Sequence, residues 1–315
     1  MDAKRVTVTA GICILAALTS WASEQRTVQG MLLQVDRAKG LITVSCDAIP
    51  GYMEAMVMPF AVREPGVLKA IEPGTTVRFT MVERGHEDYA EHLQTIKVVN
   101  YEAEPTEAAR LAILHRAMDP AAAARTMSVG QQVPDFKLTD QAQHATHFTQ
   151  FRGKVVALTF AYSRCPNPNY CFRLSNNLSR LSRRFRDRTG RDLVLVTIVI
   201  DPDNDRGKAL QRYADTWKAD PATWHFLTGP LSDIRGVAEM FGMNFWNDEG
   251  FLTHSFHTVV IDRDGRVAAN LEGNQFTAEQ LGDLVETVLR RTNGKAPEVT
   301  TARMGEAAAP TKQGH

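Results

Sequence analysis

Apolar and polar residues alternate in short runs over residues 26–100, and Gly, Pro and Asp separate one run from the next. Such alternation is typical of β-strands with one buried face, and short strands with frequent turns are typical of small barrels. The runs are TVQGMLLQVD, GLITVSC, AMVMPFAV, TTVRFTMV and EHLQTIKVV. We therefore predict a small all-β, OB-like barrel of five strands in this part of the chain.

The pattern changes after residues 101–127, where a short amphipathic helix and an Ala/Pro-rich linker mark a domain boundary. Over residues 128–292, KVVALTFAYS and DLVLVTIVID are continuously apolar, as expected of strands buried on both faces. Between them, leucines at helical spacing predict a helix, and further helices are predicted at GKALQRYADTW and LSDIRGVAEMFG. The tail at residues 293–315 is predicted to be disordered.

The end of the second region predicts a hairpin and a closing helix. HTVVIDRDGRVAANLEG has a turn signal at Asp264-Gly265. Thr277 with Gln280 three residues later predicts a capping box at the start of the last helix. The order of a central strand, a cysteine turn, a helix, a second strand and a late hairpin with a closing helix indicates an α/β thioredoxin-like domain.

The first 22 residues have the features of a secretory signal. Lys4 and Arg5 precede the apolar stretch VTVTAGICILAALTSWA, which ends in a small-x-small sequence. An uncleaved membrane anchor is the alternative, because the apolar run is near the lower length limit for spanning a bilayer. In both cases we expect the folded part to be exported, as a periplasmic protein or as one anchored to the membrane and facing the periplasm.

Charge and cysteine content narrow the function classes. Lys and Arg together number 36, as do Asp and Glu, so the formal net charge is zero and nucleic-acid binding is set aside. After the signal, the cysteines are Cys46, Cys165 and Cys171. This number is too small for a disulfide-stapled scaffold, and the odd cysteine needs a separate explanation.

Cys165 and Cys171 flank two prolines in AYSRCPNPNYCF, and Pro168 suits the first position of a helix. A helix N-terminus stabilises a thiolate, so the pKa of a cysteine is expected to be lowered here. A structural disulfide, a dithiol redox centre and a metal site all remain open. The late stretch LTHSFHTVVID lacks the proline of thioredoxin-like reductases and carries His254 and His257. Two thiolates and an imidazole are ligands that suit copper.

Residues 128–292 resemble the Sco/SenC family of copper proteins in FRGKVVALTFAYSRCP, VIDPDNDRGKALQRYA, LTGPLSDIRGVAEMFG and THSFHTVVIDRDGR. The resemblance implies copper, as Cu(I), Cu(II) or both, held by Cys165, Cys171 and His254. His254 has the family's spacing to the aspartate of the hairpin strand, so the resemblance gives the ligand role to His254 and not to His257. We expect His257 to be a strand residue, and its closeness makes it a substitute ligand. The chain departs from the family in having five residues between the cysteines instead of three, and a phenylalanine after the second.

The first region contains a second group of soft ligands in CDAIPGYMEAMVMPF, namely Cys46, Met53, Met56 and Met58. Met56 and Met58 would share one face of a strand. Thioethers suit Cu(I), whereas a methionine-lined barrel core is the alternative, because Met is also a flexible core filler.

Residues 26–100 resemble the CusF-like periplasmic copper-binding barrels in IPGYMEAMVMPF and in strand order. This resemblance implies a copper site formed by Cys46, Met56 and Met58. Cys46 stands where that family has a histidine, and Tyr52 or Met53 occupies the neighbourhood of a tryptophan found in some members.

Together the two resemblances imply an exported copper chaperone rather than an enzyme. The barrel would capture Cu(I), and the second domain would pass copper to a cuproprotein, by resemblance the dinuclear copper subunit of a cytochrome oxidase. The alternative is a thiol-disulfide oxidoreductase that keeps the acceptor's copper-ligand cysteines reduced, with a thiol reductant as a partner. A thiol peroxidase finds less support, because AYSRCP offers only Ser163 and Arg164 around the cysteine.

The cysteine spacing also makes a geometric prediction. Pro166 and Pro168 prevent a regular helix between Cys165 and Cys171, and PNPN can form a loop that returns the second cysteine to the first. We expect both sulfurs on the surface and close enough to bridge, with His254 facing them across the site. The pair would then be a metal-binding couple that can also oxidise.

Overall fold

The computed structural model describes residues 25–84, 87–96, 126–166, 168–248 and 251–291. The predicted signal at residues 1–22, nearly all of the predicted connection at 101–127 and the predicted tail at 293–315 lie outside these ranges. Within the described ranges, no helix is long and apolar enough to cross a membrane.

Residues 25–84 and 87–96 form the predicted closed barrel. Its strands are β1 (Gln25–Asp36), β2 (Leu41–Cys46), β3 (Met56–Val62), β4 (Thr76–Arg84) and β5 (Glu87–Thr95). Their order around the barrel is β1-β2-β3-β5-β4, and neighbours are antiparallel except for β3 and β5, which are parallel. Strand β5 begins earlier than the run EHLQTIKVV, because its first residues pair with the end of β4.

The alternating apolar residues of these strands face a common core, as the pattern predicted. Phe60 and Phe79 meet edge to face in this core, with ring centroids 4.7 Å apart. Strand β1 passes close to β2 at Gly30, where a Cβ atom would lie 2.3 Å from the carbonyl oxygen of Ser45. Only glycine fits such a close approach of two backbones.

The second domain is an α/β domain. Its strands are β6 (Lys137–Thr139), β7 (Ala145–His147), β8 (Val155–Ala161), β9 (Leu193–Val199), β10 (Trp224–Leu227), β11 (Phe245–Asp248), β12 (Phe251–His254), β13 (His257–Ile261) and β14 (Val267–Glu272). Its helices are α1 (Arg173–Arg184), α2 (Lys208–Thr216), α3 (Leu231–Met240) and α4 (Ala278–Leu289).

The main sheet of this domain has the strand order β10-β9-β8-β13-β14. Strands β8, β9 and β10 are parallel, whereas β13 and β14 form the antiparallel hairpin. Every residue of β8 and β9 is buried, because α1, α2 and α4 pack on one face of the sheet and α3 packs on the other. This is the predicted thioredoxin-like arrangement.

Two local predictions are confirmed. The Thr277 hydroxyl accepts a hydrogen bond from the backbone N–H of Gln280, and the Gln280 carboxamide oxygen accepts one from the backbone N–H of Thr277. Gly265 has φ +77° in the hairpin turn between β13 and β14, which is the left-handed conformation that the Asp-Gly signal predicts.

Two features around the cysteine turn differ from the prediction. Pro168 does open a helical segment, but Pro168–Phe172 forms one wide turn in which Tyr170 has φ −105° and ψ −105°, and the regular helix begins at Arg173. The stretch before β13 also contains a short hairpin of β11 and β12, with His254 at its end. Strands of four residues are too short to show a clear period in the sequence.

The barrel packs directly against the second domain. Met31 and Leu33 of β1 belong to the same apolar core as α1, α4 and Leu271 of β14. Gly74 of the barrel lies against strand β14, where a Cβ atom added to this glycine would be 3.1 Å from Cδ1 of Leu271. The two domains therefore share buried apolar surface.

Candidate metal centre

The turn that carries Cys165 is fixed by two buried aspartates. The backbone N–H of Ser163 donates to Oδ2 of Asp205 over 2.8 Å, and its hydroxyl donates to Oδ1 of the same carboxylate. Arg164 forms an ion pair with Asp201 over 2.8 Å. Burial raises the pKa of Asp205, and the two bonds from Ser163 oppose that shift. The parallel strands β8 and β9 end at one edge of the sheet, so these loops meet there.

The sulfur of Cys171 is the centre of the arrangement. Its Sγ lies 3.4 Å from Nε2 of His254, and it is in hydrogen-bonding contact with the thiol of Cys165. Nδ1 of His254 lies 2.9 Å from the carbonyl oxygen of Ser255. A carbonyl can only accept, so Nδ1 carries a proton, and in the neutral tautomer Nε2 presents its lone pair to Cys171.

The electrostatics of Cys171 differ from the expectation. Hydrogen bonding to Cys165 raises the pKa of Cys171 well above its ordinary value, and burial of the thiol raises it further. The expected lowering by a helix N-terminus is therefore wrong for Cys171. It lies in the wide turn before the regular helix and has only 2% of its surface exposed. The hydrogen bond to Cys165 and then desolvation determine the direction of the shift at this position.

The geometric prediction is correct on proximity and wrong on exposure. Cys165 and Cys171 are in contact, and none of the described cysteines is joined in a disulfide. His254 lies beside the pair, as expected. Cys165 is half-buried and Cys171 is buried, so the two sulfurs do not both lie on the surface. The wide turn contains Cys171, whereas Cys165 precedes it, and of the two only Cys171 is fully buried.

Tyr162 is a residue of this site that the sequence analysis missed. Its hydroxyl donates to the carbonyl oxygen of Leu252 over 3.0 Å, and its ring meets the His254 ring edge to face with centroids 5.8 Å apart. Burial raises the pKa of Tyr162, and the nearby Cys165 and Cys171 add to the shift. An aromatic residue three positions before the first cysteine was the available signal.

The His254 ring also meets the Phe256 ring edge to face. Their ring centroids are 4.8 Å apart, and Phe256 in turn packs on Tyr170 from the wide turn, with centroids 4.9 Å apart. These contacts hold the imidazole between the two aromatic side chains that flank it. The orientation of Nε2 towards Cys171 is therefore determined by packing as well as by hydrogen bonding.

His257, the predicted strand residue and substitute ligand, lies within β13. Its Nδ1 is 3.0 Å from Oδ1 of Asn270 on the neighbouring strand β14, and its carbonyl accepts a hydrogen bond from Thr159. The side chain is buried in the sheet. These contacts are those of a packed strand residue, whereas His254 contacts a cysteine.

The three predicted ligands do not yet form a closed cluster. Among the described residues, no three His, Cys, Asp or Glu side chains lie close enough together to hold a metal ion. Cys171 contacts His254 on one side and Cys165 on the other. A metal held by all three would therefore need these side chains to lie closer together than they do in this structure.

The first predicted site lies at one end of the barrel. Cys46 pairs with Met56, and Val44 pairs with Met58, in the antiparallel register of β2 and β3. The Cys46 side chain is 2% exposed and its thiol donates to the carbonyl oxygen of Val44 over 3.7 Å, whereas Met56 is 46% exposed. Met58 is half-buried against the barrel core. Burial raises the pKa of Cys46 to about 12, and the charge of Asp47 contributes.

The two residues that stand near the expected tryptophan position have other contacts. The Tyr52 ring stacks under the guanidinium of Arg26, whose Cζ is 3.6 Å from the ring centroid, and its hydroxyl donates to Glu83. Met53 bridges to Ile49 in the loop between β2 and β3. Tyr52 is therefore engaged with β1 and β4.

Comparisons with known proteins follow the division into two domains. A family model described as SCO1/SenC matches residues 125–290, and one described as copper binding periplasmic protein CusF matches residues 25–95. No curated protein matches the sequence.

Several solved structures are similar to the second domain. ScoI from Arabidopsis thaliana with copper bound is 21% identical, with a TM-score of 0.43, over 49% of this chain and 95% of that chain. Yeast Sco1 with copper bound is 20% identical, with a TM-score of 0.44, over 52% of this chain and 91% of that chain. A SCO1/SenC family lipoprotein from Bacillus anthracis str. Ames is 24% identical, with a TM-score of 0.44, over 50% of this chain and 94% of that chain.

The SCO1/SenC match covers more than half of the 315 residues. It spans the main sheet, the turn with Cys165 and Cys171, and the hairpin end with His254. The chain therefore belongs to the SCO1/SenC family.

Proposed function

We propose that this chain is an exported, periplasmic copper chaperone that delivers copper to a cuproprotein, with the dinuclear copper site of a cytochrome oxidase as the acceptor. The proposed ligands are Cys165, Cys171 and His254 in the second domain, and Cys46, Met56 and Met58 in the barrel. The observation that carries the proposal is the buried sulfur of Cys171, which contacts both Cys165 and Nε2 of His254.

The chemistry of these side chains suits copper as cargo. Two thiols and an imidazole nitrogen are soft to borderline ligands, and the thioethers of the barrel favour Cu(I) over zinc. The cysteines of the second site must lose their protons when they bind the metal, so copper uptake releases protons to solvent. Cys165 is half-buried and therefore offers a route for ligand exchange with a partner, whereas Cys171 is buried.

Family membership and the barrel match support the same cargo. The model that matches the barrel is that of a copper-binding periplasmic protein, which supports both copper and export. Two of the similar solved structures are described as having copper bound. The apolar segment at the start of the sequence, as a signal or as an anchor, is consistent with function outside the cytoplasm.

A thiol-disulfide oxidoreductase is the second candidate, and the contact between the two reduced cysteines favours it. In that reaction a thiolate of the pair attacks an acceptor disulfide, and the mixed disulfide is then resolved by the other cysteine. The acceptor gains two electrons and two protons, while Cys165 and Cys171 become a disulfide. Such a reaction would leave the acceptor's cysteines ready for copper.

Replacing the histidine separates the two candidates. In the full chain, His254→Ala should lower the Cu(I) affinity of the second site by at least about tenfold, because a ligand that packing has oriented is lost. The dithiol should still oxidise and be reduced in a glutathione buffer, since thiol exchange does not need the imidazole. Affinity is measured by competition with a Cu(I) chelator.

His257→Gln is the matched control, because glutamine can keep a hydrogen bond to Asn270 within the strand. We expect it to leave Cu(I) affinity within about twofold of the wild type, as for a residue that packs rather than binds metal. Unchanged affinity in His254→Ala would contradict the proposed ligand set. If that result came with loss of thiol exchange, the oxidoreductase would become the better description.

A further inference from the structure

The end of strand β2 contacts the second domain on both sides of Cys46. The hydroxyl of Ser45 donates to Oδ2 of Asp283 over 2.7 Å, and the carboxamide of Gln280 donates to Oδ1 of Asp47 over 2.9 Å. Gln280 and Asp283 lie in the first two turns of α4. Neighbouring residues on a strand point to opposite faces, so Cys46 points into the barrel while the residues beside it reach α4.

Both contact residues on α4 are held firmly within the second domain. The other carboxylate oxygen of Asp283 accepts from Arg184 of α1 over 2.7 Å. The carboxamide oxygen of Gln280 accepts from the backbone N–H of Thr277 over 3.0 Å, as part of the capping box. The contact surface on α4 is therefore fixed by bonds that do not involve the barrel.

Strand β2 is equally fixed on the barrel side. Gly30 packs against the backbone of Ser45 and Cys46, and the backbone N–H of Asp47 donates to the carbonyl of Gln29 over 2.8 Å. The backbone at Cys46 therefore cannot move without disturbing either the barrel or the contact with α4. The buried packing of Met31 in the core of the second domain adds an apolar component to the same contact.

We propose that copper capture at Cys46 and docking of the barrel on α4 are thermodynamically linked. Docking holds the end of β2 in the position that binds copper, and copper bound there strengthens docking, because linkage between two binding events is reciprocal. A site whose ligands are held in place loses less conformational freedom on binding. This inference rests on the proposed copper site in the barrel and adds how that site is controlled.

A set of hydrogen bonds also connects the barrel, in its position against α4, with the turn that carries Cys171. Arg173 donates to the carbonyl oxygen of Asn274 over 2.6 Å, and the Asn274 side chain donates to the carbonyl oxygen of Asn169 over 2.7 Å. Asn169 and Arg173 lie on either side of Cys171 along the chain. The segment from Asn274 to Gln280 thus contacts the turn of the second site at one end and Asp47 of the barrel at the other.

The linkage is tested in the full chain with Cys165→Ser and Cys171→Ser, so that Cu(I) binding reports the barrel site alone. Adding Gln280→Glu keeps an oxygen for the capping box and places a carboxylate against Asp47. We expect the Cu(I) affinity of the barrel site to fall by about fivefold or more, the lower range of measured coupling between sites. Ser45→Ala, which removes the second polar contact, should lower the affinity in the same direction.

Glu279→Gln is the matched control, since Glu279 lies next to Gln280 and its ion pair with Arg180 is within the second domain. This variant should leave the affinity within about twofold of the parent, because it does not touch the barrel. Equal affinity in all variants would overturn the linkage and leave the copper site intact. An equal loss in Glu279→Gln would also overturn it, since the effect would then be general destabilisation of α4.

A second measurement leaves the contact between the barrel and α4 unaltered. Hydrogen exchange of the backbone amides at Gln280 and Asp283 is followed in the wild-type chain with and without Cu(I), and in a chain with Cys46→Ser. We expect Cu(I) to slow exchange at both amides in the wild type and to slow it clearly less in Cys46→Ser at the same Cu(I) concentration, because that variant binds Cu(I) more weakly. Unchanged exchange in the wild type would overturn the linkage. A parent barrel that binds no Cu(I) would overturn the proposed copper site together with it.

Discussion

The two proposed copper sites are built in opposite ways. The second-domain site draws its side chains from segments far apart in the chain, and its central contact, between Cys171 and His254, is already made. The barrel site draws its side chains from two neighbouring strands, where register places Cys46 opposite Met56. There the thiol is turned to the carbonyl of Val44, and the methionine is largely exposed.

The comparison shows that the two sites differ in how far their ligands are oriented before copper binds. Strand register supplies the barrel site, whereas packing of distant segments supplies the second-domain site. Strand pairing brings two side chains to the same face of the sheet but does not determine their rotamers. In the second site, packing by Tyr162 and Phe256 and a hydrogen bond to Ser255 fix the imidazole of His254. We therefore expect the second site to depend on individual ligands more strongly than the barrel site does.

Isosteric removal of the central sulfur in each site is the strongest test of this comparison. Cys171→Ser should lower Cu(I) affinity at the second site by more than about 100-fold, beyond what changes around a metal's ligands usually cost. Cys46→Ser should lower affinity at the barrel site by about tenfold, because the methionines remain as soft ligands. Affinities are measured by chelator competition in full chains that keep one site. Equal losses would break the comparison.

Thiol alkylation in the metal-free chain compares exposure at the two sites. Cys165 is half-buried, whereas Cys171 and Cys46 are each 2% exposed. Burial also raises the pKa of Cys46 to about 12, so this thiol stays protonated at neutral pH. Iodoacetamide should modify Cys165 at least about tenfold faster than the other two, because the thiolate is the reactive form. Mass spectrometry gives the rates, and fast labelling of Cys46 would contradict its burial.

Removing the Asp205 carboxylate, which fixes the turn that carries Cys165, tests whether copper binding at the second site depends on ligands that are already held in position. Asp205→Ala leaves two donors of Ser163 without their acceptor, at a cost of about 1–3 kcal/mol in the free energy of unfolding. We expect Cu(I) affinity at the second site to fall by about fivefold, in line with a lost supporting contact. Affinity at the barrel site should not change.

Asp205→Asn is the control for that change, because its amide oxygen can still accept from one donor of Ser163. Thermal unfolding should show a smaller loss of stability than in Asp205→Ala. If both variants keep full affinity at the second site, the position of Cys165 does not depend on this turn.

The two methionines offer the finest comparison within the barrel. Met58 is half-buried against the core, whereas Met56 is exposed and lies opposite Cys46. Met56→Leu should lower Cu(I) affinity by about threefold with little effect on stability, because an exposed side chain contributes little packing. Met58→Leu conserves volume and should be tolerated by the core. If only Met58→Leu lowers Cu(I) affinity, the copper site lies deeper in the barrel than the pairing of Cys46 with Met56 indicates.

The sequence alone determined the barrel, the central strands and main helices of the second domain, and the order of these elements. Strands β8 and β9 could be predicted because their residues are apolar throughout, and the barrel could be predicted from alternation. The capping box at Thr277 and the turn at Gly265 were predictable because each depends on a few neighbouring residues. His254 could be selected as a candidate because its spacing to the hairpin strand matches that of the family the sequence resembles.

Only the tertiary structure decided the properties that depend on distant neighbours. The wide turn that buries Cys171, the hydroxyl contact of Tyr162 with Leu252 and the short hairpin before His254 have no periodic signal in the sequence. The direction of the Cys171 pKa shift was also decided there, because the hydrogen bond to Cys165 and the burial of the thiol both raise the pKa. The contact of Ser45 and Asp47 with α4 joins residues more than 230 positions apart. Local patterns report backbone geometry, whereas burial and long-range contacts arise only when the whole chain packs.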